Sequence, residues 1–395
     1  MKKKILLNWD YFRKDHLEPF YQMMSDCEFV FIHKKNKPTN EIDIPFQVIY
    51  WSDFKSPYDL LEIIKPDKVV FSGLESFYEI SLNIACRNKN IVTYFLQHGG
   101  PMQNLDFYKE AYKNVPNEFL HEVNNQSLLV KLHATFFYFR AIKFKNLFSF
   151  HKIVWYYILR RLSSNYMKVL ERVQFELRKP NFYIECTFHN ASWIKQRDKI
   201  ADDRVIPIGV MSLDAYFDNY TINDVEKENI FLLIDSPVEL IPSLNITEQE
   251  HFIFYEKLND LALKDNCKLY VKLHPKKYGS TNMPNHPNIV YLKDTTIIKE
   301  IRVAKSCFCF YSTLAMPAIY FTNCTMIKMN EESSVQDDWQ DLGIVNTLNF
   351  LDFSKQIFVS PDDAVKKQNL QKFVSLYLYK TDGSAVKRLK EILVS

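Results

Sequence analysis

Two stretches in the second half of the chain carry side chains that suit the binding of a phosphate group. The first, KLYVKLHPKK, covers residues 268–277 and alternates apolar with polar residues, the period of a strand, before it reaches His274 and Pro275. Because Pro275 has no amide hydrogen for a strand ladder, we predict His274 at the carboxyl end of the strand. Ligands of open parallel α/β sheets bind at that edge. Taken alone, the stretch is more typical of a plain strand stop.

The second stretch, SCFCFYSTLAMPAIYF, covers residues 306–321 and brings two hydroxyl groups to a predicted helix start. Residues 307–311 are apolar throughout, which favours a strand buried on both faces, and Ser312 then suits the N-cap of a helix. Free amides, the positive end of the helix dipole and the hydroxyls of Ser312 and Thr313 would together attract a phosphate. Simple capping is the alternative. The two stretches support each other because both open at the same edge of a sheet.

A third stretch, QHGGP at residues 97–101, follows a predicted strand in the first half of the chain. His98 lies at the carboxyl end of that strand, as His274 does, and the two glycines let the backbone approach a ligand closely. The alternative is a turn with a capping histidine. Two carboxylates, Asp10 and Glu75, follow other predicted strands of the same half.

Around these stretches, strands and helices alternate, which predicts doubly wound parallel sheets. The length of 395 residues exceeds what one core normally supports, so we expect two α/β domains. We predict strands at residues 5–8, 29–33, 47–51, 69–72, 91–96, 182–186 and 205–210, and then at 230–234, 269–273, 289–292, 307–311 and 325–328. The chain has 7 glycines and lacks the glycine fingerprint of dinucleotide-binding folds, which argues against a nicotinamide or flavin cofactor.

One segment of the first half breaks this alternation. Between residues 129 and 172, nine Lys or Arg accompany a single acid, Glu171, and eleven aromatic residues. Such interleaving is typical of amphipathic helices that lie in a membrane interface. The alternative is a helical insertion, at residues 120–178, that buries its rings in the core and leaves its lysines in solvent. We favour the membrane interface.

The overall composition argues against several other classes of protein. A net charge of +3 is too small to indicate nucleic-acid binding, and no zinc spacing or RNA-binding motif accompanies it. The 7 cysteines lie mostly within predicted strands and helices, as expected for reduced thiols of a cytoplasmic protein. The opening sequence MKKKILLNWD lacks the apolar run of a signal peptide, and we expect no transmembrane helix.

In their order along the chain, the three stretches resemble GT-B glycosyltransferases that use cytidine-linked donors. The resemblance is strongest to bacterial sialyltransferases and polysialyltransferases and to capsule transferases for keto-sugar acids such as Kdo or pseudaminic acid. In those families, the histidine of the His-Pro pair and the hydroxyl pair hold the phosphate of CMP, which implies that role for His274, Ser312 and Thr313. The expected nucleotide-binding set also includes Pro275, Ser236 and Lys272.

One position departs from the sialyltransferase pattern, in which an acidic pair before the glycine supplies the general base. This chain has Gln97 and His98 there. A histidine before glycine resembles instead the CDP-glycerol and CDP-ribitol phosphotransferases of teichoic acid-like polymers, in which that histidine is assigned as the base. A second departure is Pro317, which we expect to kink the helix that follows the hydroxyl pair.

These groups suit transfer to a hydroxyl. A neutral His98, with an ordinary pKa of about 6.5, can take the proton of an attacking hydroxyl near neutral pH, and Glu75 and Asp10 are the carboxylate alternatives. Across the site, His274 can donate a hydrogen bond or a proton to the departing CMP, and the hydroxyl pair adds fixed dipoles. The arrangement needs no metal, and the chain has no Asp-x-Asp sequence that would hold one.

We therefore expect an inverting GT-B transferase that moves a CMP-activated acidic sugar (sialic, pseudaminic or legionaminic acid, or Kdo) onto a hydroxyl of a bacterial capsule or lipooligosaccharide. Its expected partners are the nucleotide-sugar donor, a glycan or lipid-linked glycan acceptor and the anionic inner face of the cytoplasmic membrane, without cofactor or nucleic acid. Two Rossmann-like domains facing a central cleft are expected at residues 1–216, for the acceptor, and 229–358, for the nucleotide sugar, with helices at 359–395 packing back on the body. A CDP-polyol phosphotransferase and a catalytically silent GT-B scaffold remain alternatives.

Overall fold

The chain divides into two compact units. Unit 1 consists of Met1–Ser212 together with Ser384–Ser395, and unit 2 of Leu213–Gly383, so unit 2 is inserted into the chain of unit 1. The computed structural model describes residues 2–9, 14–33, 44–97, 128–163, 165–217, 226–240, 246–279, 283–293, 296–310, 312–329, 335–350 and 363–395.

Within the described residues, unit 1 is built on a sheet of seven parallel strands. The strands are β1 (Lys3–Asn8), β2 (Cys27–His33), β3 (Gln47–Tyr50), β4 (Lys68–Phe71), β5 (Val92–Leu96), β6 (Phe182–Glu185) and β7 (Val205–Pro207). Their spatial order, β3-β2-β1-β4-β5-β6-β7, reverses between β1 and β4. In open α/β sheets, ligands bind beyond the carboxyl ends of the strands at such a reversal.

Helices cover both faces of this sheet, as strands without a solvated face require. They are α1 (Lys14–Tyr21), α2 (Pro57–Ile64), α3 (Phe77–Asn88), α4 (Leu128–Arg140), α5 (Leu147–Leu162), α6 (Tyr166–Arg172) and α7 (Ser192–Asp198), joined by the C-terminal helix Ala385–Val394. Side chains of β1 alternate between the faces. Ile5 and Leu7 pack in a core with α1 and the C-terminal helix, whereas Leu6 packs with α2 to α6.

The basic aromatic segment forms α4, α5 and α6 and is divided between core and surface. Phe137, Tyr138 and Tyr156 are buried in the core that these helices share with α3. Phe144 and Phe148, in contrast, are 87% and 95% exposed. The alternative of a helical insertion that buries its rings is therefore correct for Phe137, Tyr138 and Tyr156. Phe144 and Phe148 are instead exposed to solvent. In the part of the chain that the structure describes, no helix has the length and apolar character of a membrane span.

Unit 2 contains a sheet of six parallel strands within the described residues. They are β8 (Glu228–Ile234), β9 (Lys268–Lys272), β10 (Ile289–Leu292), β11 (Ala304–Cys309), β12 (Asn323–Lys328) and β13 (Asn346–Asn349). The spatial order, β10-β9-β8-β11-β12-β13, reverses between β8 and β11. The helices of this unit are α8 (Asp214–Phe217), α9 (Glu248–Lys264), α10 (Ile298–Val303), α11 (Ala315–Phe321), α12 (Val335–Asp341) and α13 (Asp363–Phe373).

Two strand predictions for unit 2 are wrong. The strand expected at residues 307–311 starts earlier, because α10 ends at Val303 and Ala304 already pairs with β8. The strand expected at residues 325–328 is β12, which we predicted to be the last strand of the sheet. It is followed instead by β13, which pairs with β12 and forms the edge of the sheet. The sequence of β13, NTLN, contains two asparagines, which strands disfavour, so pattern alone did not reveal it.

The end of the chain is shared between the units. The helix α13 and the π-helical turn Val374–Leu378 belong to unit 2, whereas Ala385–Val394, α14, belongs to unit 1. Leu389 and Leu393 of α14 are fully buried in the core that contains β1. The ammonium group of Lys68 also donates a 2.7 Å hydrogen bond to the carbonyl of Ile392.

Candidate functional site

The carboxyl ends of β9, β8 and β11 lie side by side at one edge of unit 2. Ser236 follows β8, His274 follows β9, and Ser312 with Thr313 follows β11. All four side chains are half-buried. The strand order therefore brings the three predicted nucleotide-binding loops together at the reversal between β8 and β11, where ligands of such sheets bind.

His274 caps the short 3-10 helix Pro275–Lys277. Its backbone is extended, with φ −68° and ψ 142°, and its Nδ1 accepts a 3.3 Å hydrogen bond from the amide of Lys276. In a neutral imidazole, the other nitrogen, Nε2, then carries the ring hydrogen. The ring can therefore donate from Nε2 to an anion. Pro275 beside it is exposed.

Lys272 is the last residue of β9 and lies two residues before His274. Its Nζ donates to the hydroxyl of Tyr278 at 3.4 Å and lies 5.8 Å from the centre of that ring. The side chain is half-buried, so a cationic group stands next to the histidine at the carboxyl edge.

A second His-Pro pair shows that the local turn does not by itself make a site. His286 precedes Pro287 and is exposed, and its Nδ1 accepts a 3.1 Å hydrogen bond from the amide of Asn288. This pair comes before β10 and thus at the amino edge of the sheet. His274 differs from His286 in its place in the fold, not in the conformation of its turn.

The hydroxyl pair lies ahead of α11 rather than at its start. We expected Ser312 to be the N-cap, but α11 begins at Ala315 and Leu314 is its N-cap. Ser312 instead closes a turn, in which its hydroxyl accepts from the amide of Leu314 at 3.3 Å and its carbonyl from that of Ala315 at 3.0 Å. Pro317 therefore falls in the first turn of α11, where backbone amides have no acceptor within the helix. Because Pro317 removes no helical hydrogen bond there, it does not produce the kink that we expected.

A buried charge network, formed by Asp235, Glu239, His251 and Lys277, lies beneath this edge, and sequence reasoning missed it. Asp235 Oδ1 lies 3.0 Å from His251 Nε2, and Glu239 Oε2 lies 2.6 Å from His251 Nδ1. Lys277 Nζ lies 3.3 Å from Asp235 Oδ2 and 3.5 Å from Glu239 Oε1. Burial alone would lower the pKa of His251, but the two carboxylates outweigh it and raise that pKa.

Glu75 lies in the loop after β4, at the carboxyl edge of unit 1 and next to the strand-order reversal. Its Oε1 lies 3.4 Å from Nη1 of Arg197, and 31% of its side-chain surface remains exposed. The protein that surrounds the carboxyl raises the pKa of Glu75, and the Arg197 guanidinium partly opposes this shift. A carboxyl with a raised pKa that solvent still reaches accepts a proton more readily than an ordinary carboxylate does.

The loop that carries Glu75 is fixed by the start of α3. Oε2 of Glu79 accepts 2.9 Å hydrogen bonds from the amides of Glu75 and Ser76, while the Ser76 hydroxyl accepts from the amide of Glu79. This capping box is joined to the end of β1, because Asn8 Nδ2 donates to Glu79 Oε1 at 2.8 Å. The loops after β1 and β4 are therefore held together.

Arg197 is oriented by a second buried network that the sequence did not indicate. Asp198 accepts from Arg197 Nη2 at 2.9 Å and from Arg178 Nη2 at 2.8 Å. The hydroxyl of Tyr183 also donates to Asp198, at 2.9 Å. Burial would raise the pKa of Asp198, but the two guanidinium groups outweigh it and hold that pKa well below its usual range. Asp198 therefore stays ionised and keeps Arg197 in place.

Glu185, the last residue of β6, ends at the same edge of unit 1. Its side chain is 1% exposed, and neither carboxyl oxygen has a hydrogen-bond partner among the described residues. Burial raises the pKa of Glu185 well above its usual value, with Arg197 partly opposing the shift. Its place inside a predicted strand gave no sign of this.

His98 and Asp10 lie outside the described residues, as does the rest of the QHGGP stretch after Gln97. Gln97 is buried, and its Oε1 accepts a 3.2 Å hydrogen bond from the amide of Cys186. The end of β5, from which the stretch departs, is therefore fixed against β6.

Metal-ligand clusters and disulfides are two other kinds of site that the side chains of a fold can form. No group of three or more His, Cys, Asp or Glu residues is arranged to hold a metal ion within the described part of the chain. All seven cysteines are buried, and none forms a disulfide.

Comparison with solved structures identifies the fold. The glycotransferase of kitacinnamycin is similar over 100% of both chains, with a TM-score of 0.51 and 10% identity. CalG4, the calicheamicin glycosyltransferase, is similar over 99% of this chain and 97% of its own, with a TM-score of 0.51 and 12% identity. The wall teichoic acid polymerase TagF aligns over 99% of this chain and 88% of its own at a TM-score of 0.46, on which we base no argument.

No protein-family model matches the chain, and no curated protein matches it in sequence. At 10% to 12% identity, the likeness to the two glycosyltransferases concerns the fold alone. Together with the two doubly wound parallel sheets, it shows that the chain has the GT-B fold, as the sequence predicted.

Proposed function

We propose that the protein is an inverting glycosyltransferase that moves a CMP-activated acidic sugar onto a hydroxyl of a bacterial surface glycan. The observation that carries the proposal is the meeting of Ser236, His274 and the Ser312–Thr313 pair at the carboxyl edge of three adjacent strands. Hydroxyl groups and an imidazole N–H are donors that suit a phosphate, and this edge is where such sheets bind ligands.

His274 is assigned to the departing CMP. As the bond between the sugar and the phosphate oxygen breaks, negative charge develops on that oxygen, and the hydrogen on Nε2 can bond to it. Ser312 and Thr313 add donors from the loop after β11. Lys272, Pro275 and Ser236 line the same edge and complete the nucleotide-binding set.

The acceptor hydroxyl attacks the sugar carbon and must lose its proton to a base of unit 1. We assign that base to His98, with Glu75 and Asp10 as the carboxylate alternatives. Glu75 is supported by its raised pKa and by the part of its side chain that remains exposed. Its ion pair with Arg197 would hold the carboxyl in one orientation.

One sequence feature favours a second candidate function. The histidine before Gly99 resembles that of CDP-glycerol and CDP-ribitol phosphotransferases. In that reaction the polyol phosphate is transferred and CMP again departs, so the same edge of unit 2 would serve either donor.

Calorimetric titration with CMP, CDP and UMP tests the proposal. We expect CMP to bind more tightly than UMP, His274→Ala to weaken the binding and His286→Ala, at the other His-Pro pair, to leave it unchanged. Binding of CDP well above that of CMP would favour the phosphotransferase. If none of the three nucleotides binds, both transferase proposals fail and a catalytically silent scaffold is left.

We also propose that the insertion holds the protein at an anionic membrane surface, the inner face of the cytoplasmic membrane, where a lipid-linked acceptor would reside. The support is the exposure of large apolar side chains on and before α5, including Phe144, Phe148 and Leu162, the last being 79% exposed. Lys152, four residues after Phe148 and thus on the same helical face, is exposed as well. Rings and aliphatic groups beside basic side chains suit an interface with anionic lipid.

A further inference from the structure

The buried charge network joins two of the loops assigned to the nucleotide. Asp235 directly precedes Ser236 after β8, and Lys277 ends the short 3-10 helix that His274 caps after β9. Lys277 is 3% exposed, and its Nζ contacts the Asp235 and Glu239 carboxylates. The side chain of Lys277 therefore fastens the turn of His274 to the loop of Ser236.

The network also reaches α9, which packs against the sheet. The hydroxyl of Tyr255 accepts a 2.8 Å hydrogen bond from Lys277 Nζ, and His251 lies one helical turn before Tyr255. Besides Lys277, the network thus takes Asp235 from the end of β8, Glu239 from the 3-10 turn Val238–Leu240, and two side chains from α9. Tyr255 and His251 are both fully buried.

The contacts of His251 define the charge of the network. Both ring nitrogens face carboxylate oxygens, at 3.0 Å and 2.6 Å, and ionised carboxylates only accept hydrogen bonds. A ring that donates to both carboxylates is an imidazolium, a state that the raised pKa of His251 also favours. Lys277 Nζ lies 3.1 Å from Nδ1, a contact between like charges that the Glu239 carboxylate between them offsets. The two cations, Lys277 and the His251 imidazolium, then balance the carboxylates of Asp235 and Glu239.

Stability alone does not explain such a network. Two buried ion pairs seldom stabilise a fold more than apolar side chains of similar volume do, because each charge must be removed from water. What they provide is a fixed geometry, which a site that binds a phosphate requires. The network lies directly behind the residues that would form that site, and through Lys277 and Asp235 it connects the two loops.

We propose that Lys277 is a positioning residue that, through this network, holds the His274 turn and the Ser236 loop in the arrangement that binds the donor's phosphate. The inference rests on the proposed function, in that the ligand is a cytidine nucleotide. Lys277 itself contacts no ligand, because its ammonium group is enclosed by Asp235, Glu239 and Tyr255.

The test separates position from stability by restoring the charge balance. Lys277→Met leaves two buried carboxylates facing one imidazolium and is expected to unfold at a lower temperature. The double variant Lys277→Met, Glu239→Gln keeps one anion against one cation, so we expect it to unfold close to the wild type. Lys268→Met, at the exposed start of β9, is the matched control.

CMP affinity, measured by calorimetry, is the deciding quantity. We expect both variants at Lys277 to bind CMP roughly tenfold or more weakly, because small misplacements of a binding group have effects of that size, and Lys268→Met to bind as the wild type. In protein labelled at histidine, the ring signals of His274 should also shift in the double variant without ligand. A double variant with wild-type unfolding, CMP affinity and His274 signals overturns the inference. If the wild type itself does not bind CMP, the proposed function is wrong, and the inference, which depends on it, is wrong as well.

Discussion

The hydroxyl of Tyr156 donates a 3.2 Å hydrogen bond to the main-chain carbonyl of Glu75. Tyr156 belongs to α5 of the insertion and is fully buried, whereas Glu75 belongs to the loop after β4. A helix of the inserted segment thus supports the loop that carries a candidate base. The same helix exposes Phe148 on its outer side, so α5 joins the loop of the catalytic candidate to the surface proposed to meet a membrane.

Replacement of His98 and of Glu75 should identify the base. The raised pKa of Glu75 moves the acid limb of a carboxylate-catalysed reaction toward the histidine range, so the position of the limb alone does not separate the two. We expect His98→Ala to abolish the acid limb of the pH profile of turnover and Glu75→Gln to retain it. An inactive Glu75→Gln beside an active His98→Ala would assign the base to the carboxylate.

Replacement of His274 by alanine should lower turnover by roughly a hundredfold, the usual effect of removing one positioned donor. Its thermal unfolding should change little, because the ring is half-buried and its bond to the Lys276 amide lies within the 3-10 turn. His286→Ala removes the same local bond at the amino edge and serves as the control. Wild-type turnover of His274→Ala at saturating donor would refute the assignment.

Replacement of Asp198 by alanine should strongly destabilise unit 1. The guanidinium groups of Arg178 and Arg197 are at most 1% exposed and would lose their shared carboxylate. Uncompensated buried charges of this kind cost about 3–5 kcal/mol of unfolding free energy, which urea denaturation would measure. Asp203→Ala, at an exposed position in the same unit, should stay within about 0.5 kcal/mol of the wild type. A similar result for both variants would contradict the prediction.

The stability of unit 2 should fall at alkaline pH because of His251. Its pKa is raised in the folded state, so the stabilisation from its imidazolium is complete below the unfolded-state pKa of about 6.5 and is lost as the pH rises through the higher folded pKa. Thermal unfolding measured between neutral and alkaline pH should show this loss in the wild type and lack it in His251→Gln. His286→Gln should behave as the wild type. An identical pH dependence in all three proteins would show that His251 is neutral.

Vesicle co-sedimentation should report the membrane surface. We expect binding to anionic but not to neutral vesicles, weakened by salt, by Phe148→Ser and by Lys152→Glu, because both side chains are exposed on α5. Charge reversal at three other cations of the insertion is less informative, because each also contacts an aromatic ring of the protein and its loss would affect packing. Lys143 lies over Tyr58, Arg160 over Tyr166, and Arg161 over Phe77 and Tyr157.

Leu263→Ser, at an exposed apolar position of unit 2, is the control for the loss of one such side chain. If the wild type does not bind anionic vesicles at low salt, the membrane proposal is wrong. The exposed rings of α5 would then contact another protein surface, and the acceptor would have to reach the enzyme without membrane binding.

Periodicity was sufficient to predict most of the sheet framework and the loops that carry the site. Buried parallel strands are short apolar runs, so those at 5–8, 69–72 and 230–234 could be recognised and their carboxyl ends located. Ligands bind at these ends in this kind of fold, and pattern alone was enough to predict that His274 and Glu75 follow the carboxyl ends of strands.

What pattern could not predict was the pairing of residues far apart in the chain. His251, in the sequence EHFIFYEKL, and Lys277, in a lysine pair, are typical of solvated side chains until α9 packs beside β9. The start of α11 was misplaced for a related reason, since a hydroxyl residue can cap a helix or close a turn before it, and the tertiary context decides between them.

The return of α14 to unit 1 has a consequence for the order in which the protein folds during its synthesis. All of unit 2 leaves the ribosome before Ser384, so it can fold while unit 1 still lacks the helix that covers one face of β1. Until Leu389 and Leu393 dock there, the core that contains Ile5 and Leu7 lacks part of its apolar cover. The segment Ser384–Ser395 therefore completes a core whose other members, in Met1–Ser212, are synthesised before unit 2.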